Sequence, residues 1–390
     1  MRIAFLTAND PKNKKSWSGI HYYMAKALER HVGEVIYLGP VQEYFFVRGI
    51  LKLIRILFKL LGLKKYNSSY SSLLSRYYSY IFTHKLSETN VDLVFAPVAS
   101  TEIAFLKTQI PLVYLSDATF KLLAEYYPGL SGMSKISAFE GNYLEKLAIN
   151  KADVCIFSSK WALDSAIKDY GANPQTTFFI PFGANIDTHP NKEIINHKLI
   201  NASKKCTLLF IAKEWERKGG EITIETLNEL IAMGLNTELI VCGCQPPQKT
   251  NGVNLTIYPF LNKNRPEDYN RFLKILKFSN YLLLPTRADC TPIVFCEANA
   301  YGIPVITTNT GGISSIIKNG KNGYVLPADA TGRDYANVIY NNFSNREDYY
   351  KLVYSTRECY DDLLNWDSWA LCFKKIIEST LKSNNQPLPL

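Results

Sequence analysis

The stretch Tyr281–Pro327, YLLLPTRADCTPIVFCEANAYGIPVITTNTGGISSIIKNGKNGYVLP, leaves the least freedom to the fold. Tyr281–Leu284 is a short, wholly apolar run, the pattern of a strand buried on both faces of a parallel sheet. Thr291 offers a capping hydroxyl and Pro292 suits a first helical position, so the spacing predicts a helix from there. Pro304–Thr307 reads as a second buried strand, and Thr310-Gly311-Gly312 precedes another short helix. Repetition of strand, loop and helix puts both loops on one edge of a parallel sheet. Open α/β folds bind their ligands at that edge.

Two acids flank the first of these helices: Asp289 lies just before it and Glu297 near its second turn. Helix N-termini favour anions, so carboxylates here compete with a bound phosphate unless they address neutral hydroxyls. Two readings fit. The acids improve the helix dipole, or they accept hydrogen bonds from a ligand that carries both a phosphate and sugar hydroxyls.

An acid, seven residues, Glu, then A-x-A-x-G-x-P-V-I and a Gly-Gly turn resemble the donor-site signature of the retaining GT-B glycosyltransferases of family 4. The usual first acid there is Glu and here it is Asp289. Pro292 stands where Gly is common and has no N–H to offer. The resemblance implies an α/β chain of the GT-B fold, with two Rossmann-like domains whose parallel sheets face an interdomain cleft. It also implies a nucleotide-sugar donor held mainly by the second domain. On the matching positions, Glu297 would bond the nucleotide ribose and Asp289 the donor sugar. Thr291, Ile293, Val294, Gly311 and Gly312 would line the donor site. The resemblance is strong over Thr207–Pro327 and weaker over the first half.

Upstream, the strand Cys206–Ile211 runs into AKEWERKGGEI, where Arg217-Lys218-Gly219-Gly220 opens a helix at a strand end. In the family a cation followed by Lys-Gly holds the donor diphosphate. Lys218 matches that Lys, and either Lys213 or Arg217 takes the place of the other cation. A leaving diphosphate needs compensating charge, and its supply lowers the barrier. Taken by itself the segment also reads as a solvated basic turn.

The 390 residues suffice for two ordinary domains, and 47% hydrophobic residues allow a substantial core. Strands are expected at Arg2–Thr7, Glu34–Leu38, Val91–Ala96, Pro111–Leu115, Asp153–Phe157 and Phe178–Pro181, with helices between them. The polar, Asn- and Lys-rich run His189–Lys204 lacks periodicity and marks a boundary. The expected division is 1–188 as an acceptor domain, 203–364 as a nucleotide-sugar domain, and 365–390 as a last helix that crosses back with Trp366 and Trp369 as its anchor. No G-x-G-x-x-G, G-x-x-x-x-G-K-S/T or His-Glu-x-x-His occurs, which argues against a dinucleotide oxidoreductase, a P-loop NTPase and a metalloprotease.

Two residues of the first half are candidates. Gly19, after the first strand, lets backbone approach a phosphate or simply completes an ordinary turn with a capping Ser18. Asp117, after the fourth strand, contacts the acceptor hydroxyl or caps the next helix. His21 in the first helical turn reads as solvent-facing or packed.

The segment Val47–Lys65 carries Arg48, Lys52, Arg55 and Lys59 within an arc of roughly 60° on a helix that is otherwise almost wholly apolar. Such a helix lies on an anionic membrane surface, or covers a core behind a narrow basic rim. Four cations oppose spanning, and no run of about 18 apolar residues exists. A formal charge of +9 suits an anionic partner, here nucleotide-sugar and membrane surface rather than nucleic acid. Eight cysteines without metal-like spacing read as reduced thiols of a cytoplasmic protein, and the membrane reading of the basic helix would set it at the inner face of the plasma membrane. No metal or cofactor is expected.

The function expected is retaining transfer of a sugar from a UDP- or GDP-linked donor to a cell-envelope glycan or lipid-linked acceptor. The competing readings are an epimerase-like enzyme of the same shape and a catalytically silent nucleotide-sugar-binding subunit.

Overall fold

The computed structural model describes residues 1–42, 44–127, 129–200, 205–247 and 254–384. The chain divides into two compact units, Met1–Pro181 with Trp369–Leu390, and Phe182–Ser368. The start of the expected second domain, 203, and the end of the expected last segment, 385–390, lie outside the described residues.

The first unit is built on β1 (Arg2–Phe5), β2 (Glu34–Tyr37), β3 (Leu93–Pro97), β4 (Leu112–Ser116), β5 (Val154–Phe157) and β6 (Thr177–Phe179). These form one six-stranded sheet in the order β2-β1-β3-β4-β5-β6, parallel throughout. The central strands are apolar on both faces because helices cover both. Ala4, Val94 and Tyr114 face one core together with Leu74 and Phe82 of the helix Ser72–Ser87. On the other side Phe95 packs against Phe373 at 5.3 Å and Trp369 at 6.0 Å, from the last helix.

The second unit holds β7 (Cys206–Ile211), β8 (Thr237–Cys242), β9 (Leu255–Tyr258), β10 (Tyr281–Leu284), β11 (Val305–Thr308) and β12 (Gly323–Leu326). They pair in the order β12-β11-β10-β7-β8-β9, again all parallel. The chain thus winds out from β7 to β9, returns, and winds out the other way from β10. The order reverses between β7 and β10, and at such a reversal the flanking helices diverge and leave a crevice at the carboxyl ends of the strands. In the first unit the corresponding reversal lies between β1 and β3.

Three local expectations change. Pro292, not Thr291, is the residue before the helix Ile293–Ala300: its ψ of 117° is extended, so helical geometry begins one residue later. The run His189–Lys204 contains a helix, Glu193–Ile200, whose Ile195 is buried in the second unit's core. Trp366 belongs to the second unit, where its indole donates to Asn185 at 2.9 Å, while Trp369 belongs to the first. Among the described residues no helix is long and apolar enough to cross a membrane.

Candidate functional site

The turn after β7 is pinned before it reaches its cations. Trp215 is buried against Phe210 at 5.4 Å, and its indole N–H donates to Glu221 at 2.9 Å. Gly219 sits at φ +78°, and a Cβ there would collide with the carbonyl oxygen of Pro285. Only glycine tolerates both the left-handed backbone and that approach. The turn is therefore pressed onto the chain leaving β10. Arg217 completes the joint. Its carbonyl accepts the N–H of Arg287 at 2.8 Å and the hydroxyl of Thr286 at 3.3 Å.

From this turn Lys218 Nζ donates to Asp289 Oδ2, an ion pair that bridges the loops after β7 and β10 across the reversal of strand order. Both side chains are almost buried, at 13% and 11% exposure. An ammonium has three N–H donors, so the pair leaves Lys218 with further capacity. Beside it Arg217 donates through Nη1 to the Ala288 carbonyl and through Nη2 to Glu214, each at 2.6 Å. Lys213 is exposed and lies outside this set of contacts.

Glu297 is fully buried on the helix Ile293–Ala300. Its Oε1 accepts from Lys263 Nζ at 2.5 Å, and its Oε2 has no partner. Burial raises this carboxyl above the usual range, and the Lys263 ammonium opposes the rise. Lys263, on the loop after β9, also lies over the Phe272 ring at 4.2 Å. Sequence reasoning did not single it out, since a lone lysine in an Asn-rich loop carries no pattern. Thr291 and Ile293 are buried and Val294 half-buried. Gly311 has φ +54°, and Gly312 precedes the short helix Ile313–Ile316. Thr310 ties this third loop to Arg287, donating to its carbonyl at 3.4 Å. Three consecutive loops on one sheet edge, after β7, β10 and β11, are thus bonded to one another. A groove of about 490 Å³ along the helix Pro266–Phe278, bounded by Ile194, Arg271 and Tyr301, includes none of the predicted site residues.

In the first unit Gly19 has φ +88° and itself holds the N-cap position of the helix Ile20–His31. His21 is packed rather than solvent-facing, between Phe5 at 5.9 Å and Trp17 at 5.1 Å. Burial lowers its pKa to about 4, so the ring is neutral at pH 7. Asp117, half-buried after β4, is not the helix cap, because Thr119 holds that position before Phe120–Tyr126. Its negative charge bears on Glu145, a buried acid that accepts the Tyr114 hydroxyl at 2.9 Å.

Burial, with a smaller push from Asp117, raises Glu145 from 4.5 to about 7. The sign follows from linkage. Between pH 4.5 and 7 the unfolded chain releases this proton and the folded chain keeps it, so stability falls as pH rises through that window. Glu145→Gln accordingly stabilises the fold by roughly 3 kcal/mol at pH 8 and leaves it unchanged near pH 4. Denaturant midpoints at the two pH values measure this.

The chain was compared with known proteins. It is 20% identical over 199 residues to the D-inositol 3-phosphate glycosyltransferase of Corynebacterium diphtheriae, covering 47% of this chain and 46% of that one. It thus spans about half the length of the curated glycosyltransferases of that name. Its fold is similar to that of sucrose-phosphate synthase from Thermosynechococcus elongatus, with a TM-score of 0.67 over 98% of this chain and 99% of that one, at 15% identity. Anabaena HepE, solved with UDP and glucose, gives a TM-score of 0.61 over 98% and 100% of the two chains, at 17% identity. The two parallel six-stranded sheets and their flanking helices are those of the GT-B fold. Residues 191–358 match the model of the family described as glycosyl transferases group 1, and that match, with the names its relatives carry, supports a transferase enzyme.

Proposed function

We propose that this protein is a retaining glycosyltransferase that moves a sugar from a UDP- or GDP-linked donor to a hydroxyl of a cell-envelope glycan or lipid-linked acceptor. The observation that carries the reading is the Lys218–Asp289 pair across the strand-order reversal, with Arg217 clamped to the same loop. The pair sets one cation and one carboxylate side by side at a ligand edge. A sugar diphosphate asks for both, a cation for its phosphates and an acceptor for its hydroxyls. HepE, with its bound UDP and glucose, supports a nucleotide-sugar ligand.

In this reading the remaining N–H donors of Lys218, aided by Arg217, take the diphosphate oxygens. Asp289 holds the sugar hydroxyls, and Glu297 Oε2 accepts a ribose hydroxyl. The bond from the anomeric carbon to the diphosphate oxygen breaks as the acceptor oxygen bonds to the same face. The acceptor's proton passes to the departing phosphate, so no strong side-chain base is needed. Asp117 contacts the acceptor hydroxyl and Gly19 gives backbone access in the first unit. A lipid-linked acceptor fits a protein that works against the inner face of the plasma membrane.

The test is turnover of a panel of nucleotide-sugars, followed by release of nucleoside diphosphate, with NMR of the glycoside formed. The expected product keeps the donor's anomeric configuration. An inverted product refutes retention. Tight donor binding with no turnover across donors and acceptors refutes transfer in favour of a silent binding subunit.

A further inference from the structure

The helix Phe45–Leu60 divides into three sectors when its residues are placed at about 100° each. Val47, Leu51, Ile54 and Phe58 share one arc of roughly 60° and pack on the first unit's core, with Leu51 only 3% exposed. Arg48, Lys52, Arg55 and Lys59 share a second arc of the same width, and all four are exposed. The third sector, about 140° wide, is apolar and bare. Phe45 is 80% exposed, Leu53 67% and Leu60 78%, and Phe46, Ile50 and Leu57 lie exposed between them. The sequence reading left two choices, a core-covering helix or a membrane helix. One face covers the core, and a second apolar face is left exposed.

A row of exposed aromatic and aliphatic side chains of this length is costly in water and marks a contact surface. Its charge identifies the contact. Residues 44–65 contain six cations, the four of the helix with Lys64 and Lys65, and no acid. A second copy of this chain docked on the same face would oppose twelve like charges, whereas an anionic bilayer accepts both features at once. The apolar sector enters the acyl boundary while long basic side chains at its flank reach back to lipid phosphates. We infer that Phe45–Leu60 lies in the plane of an anionic lipid leaflet, apolar sector inward, and fixes the first unit on the membrane. The inference goes beyond sugar transfer and does not depend on it.

The test is flotation of the whole protein with vesicles of phosphatidylglycerol and phosphatidylcholine in roughly equal parts, and with phosphatidylcholine alone. Binding is expected to the first and lost at high salt. Changing Arg48, Lys52, Arg55 and Lys59 to Glu lowers it on the order of a hundredfold or more. Leu53→Ser with Leu57→Ser, charges intact, lowers it about tenfold or more. Should the fourfold reversal not fold, the four Gln substitutions read the same term. In Leu53→Trp, fluorescence shifts to the blue on binding and is quenched by brominated acyl chains. Lys218→Ala, expected to be impaired in transfer, binds vesicles as the parent does. Equal binding by parent and charge-reversed protein overturns the inference, as does absence of binding to anionic vesicles. Self-association abolished by the two serines, without vesicle binding, also overturns it and makes the face a contact between copies.

Discussion

Lys218→Ala is expected to lower the rate of transfer at saturating donor by roughly a hundred- to a thousandfold, the usual cost of removing one group aimed at charge that develops in the transition state. The direction of the split matters as much as its size. The negative charge of the diphosphate grows as the anomeric bond breaks, so kcat falls further than donor affinity does. Lys218→Arg keeps the charge but spreads it over a planar fork, and recovers only part of the rate. The substitution also leaves the nearly buried Asp289 without its ammonium partner, so the folded state loses some stability as well. Steady-state kinetics with the preferred donor, alongside denaturant melts, separate the two effects. A loss confined to KM would mean that Lys218 binds substrate and transition state alike.

Glu297→Ala is expected to weaken donor binding by about ten- to a hundredfold, and to remove the preference for a ribose over a 2′,3′-dideoxyribose in the same nucleotide. Its Oε2 is a buried acceptor with no protein partner, on the helix Ile293–Ala300. The Lys263 ammonium works against the upward pull of burial on this carboxyl. Lys263→Met should therefore raise the Glu297 carboxyl further and couple donor affinity to pH. The carboxylate, and with it the affinity, is recovered only as pH rises. Calorimetric titration over pH checks the slope. A flat profile in that variant means that Lys263 does not control the charge of Glu297.

Much of the second unit was legible in the residues. The runs at Cys206–Ile211 and Tyr281–Leu284 are strands with the expected ends, because each is largely apolar. The helix Pro266–Phe278 starts at its proline for the reason proline favours a first turn. Other features needed the fold. Ile195 is one apolar residue whose burial no periodicity announced in an Asn- and Lys-rich run. The contact of Lys263 with Glu297 joins positions 34 residues apart, from the loop after β9 to the helix after β10, and no local pattern announces it. Strand order was equally hidden, since local pattern says that strands are parallel but not which are neighbours. That order is what turns Lys218 and Asp289, 71 residues apart, into a pair. On the helix Phe45–Leu60 the basic arc was visible in the spacing, but not which of its two apolar flanks met the core.

One titration reaches the central claim, that Lys218 and Glu297 serve a single nucleotide-sugar. Equilibrium binding of a nucleoside diphosphate is compared with its monophosphate and its dideoxyribose analogue, on the parent, Lys218→Ala and Glu297→Ala. Both variants are predicted to bind the diphosphate more weakly. Lys218→Ala loses the discrimination against the monophosphate, and Glu297→Ala the discrimination against the dideoxy sugar. Undiminished affinity in either variant would show that the two side chains do not share a ligand, and would contradict the assignment of this site.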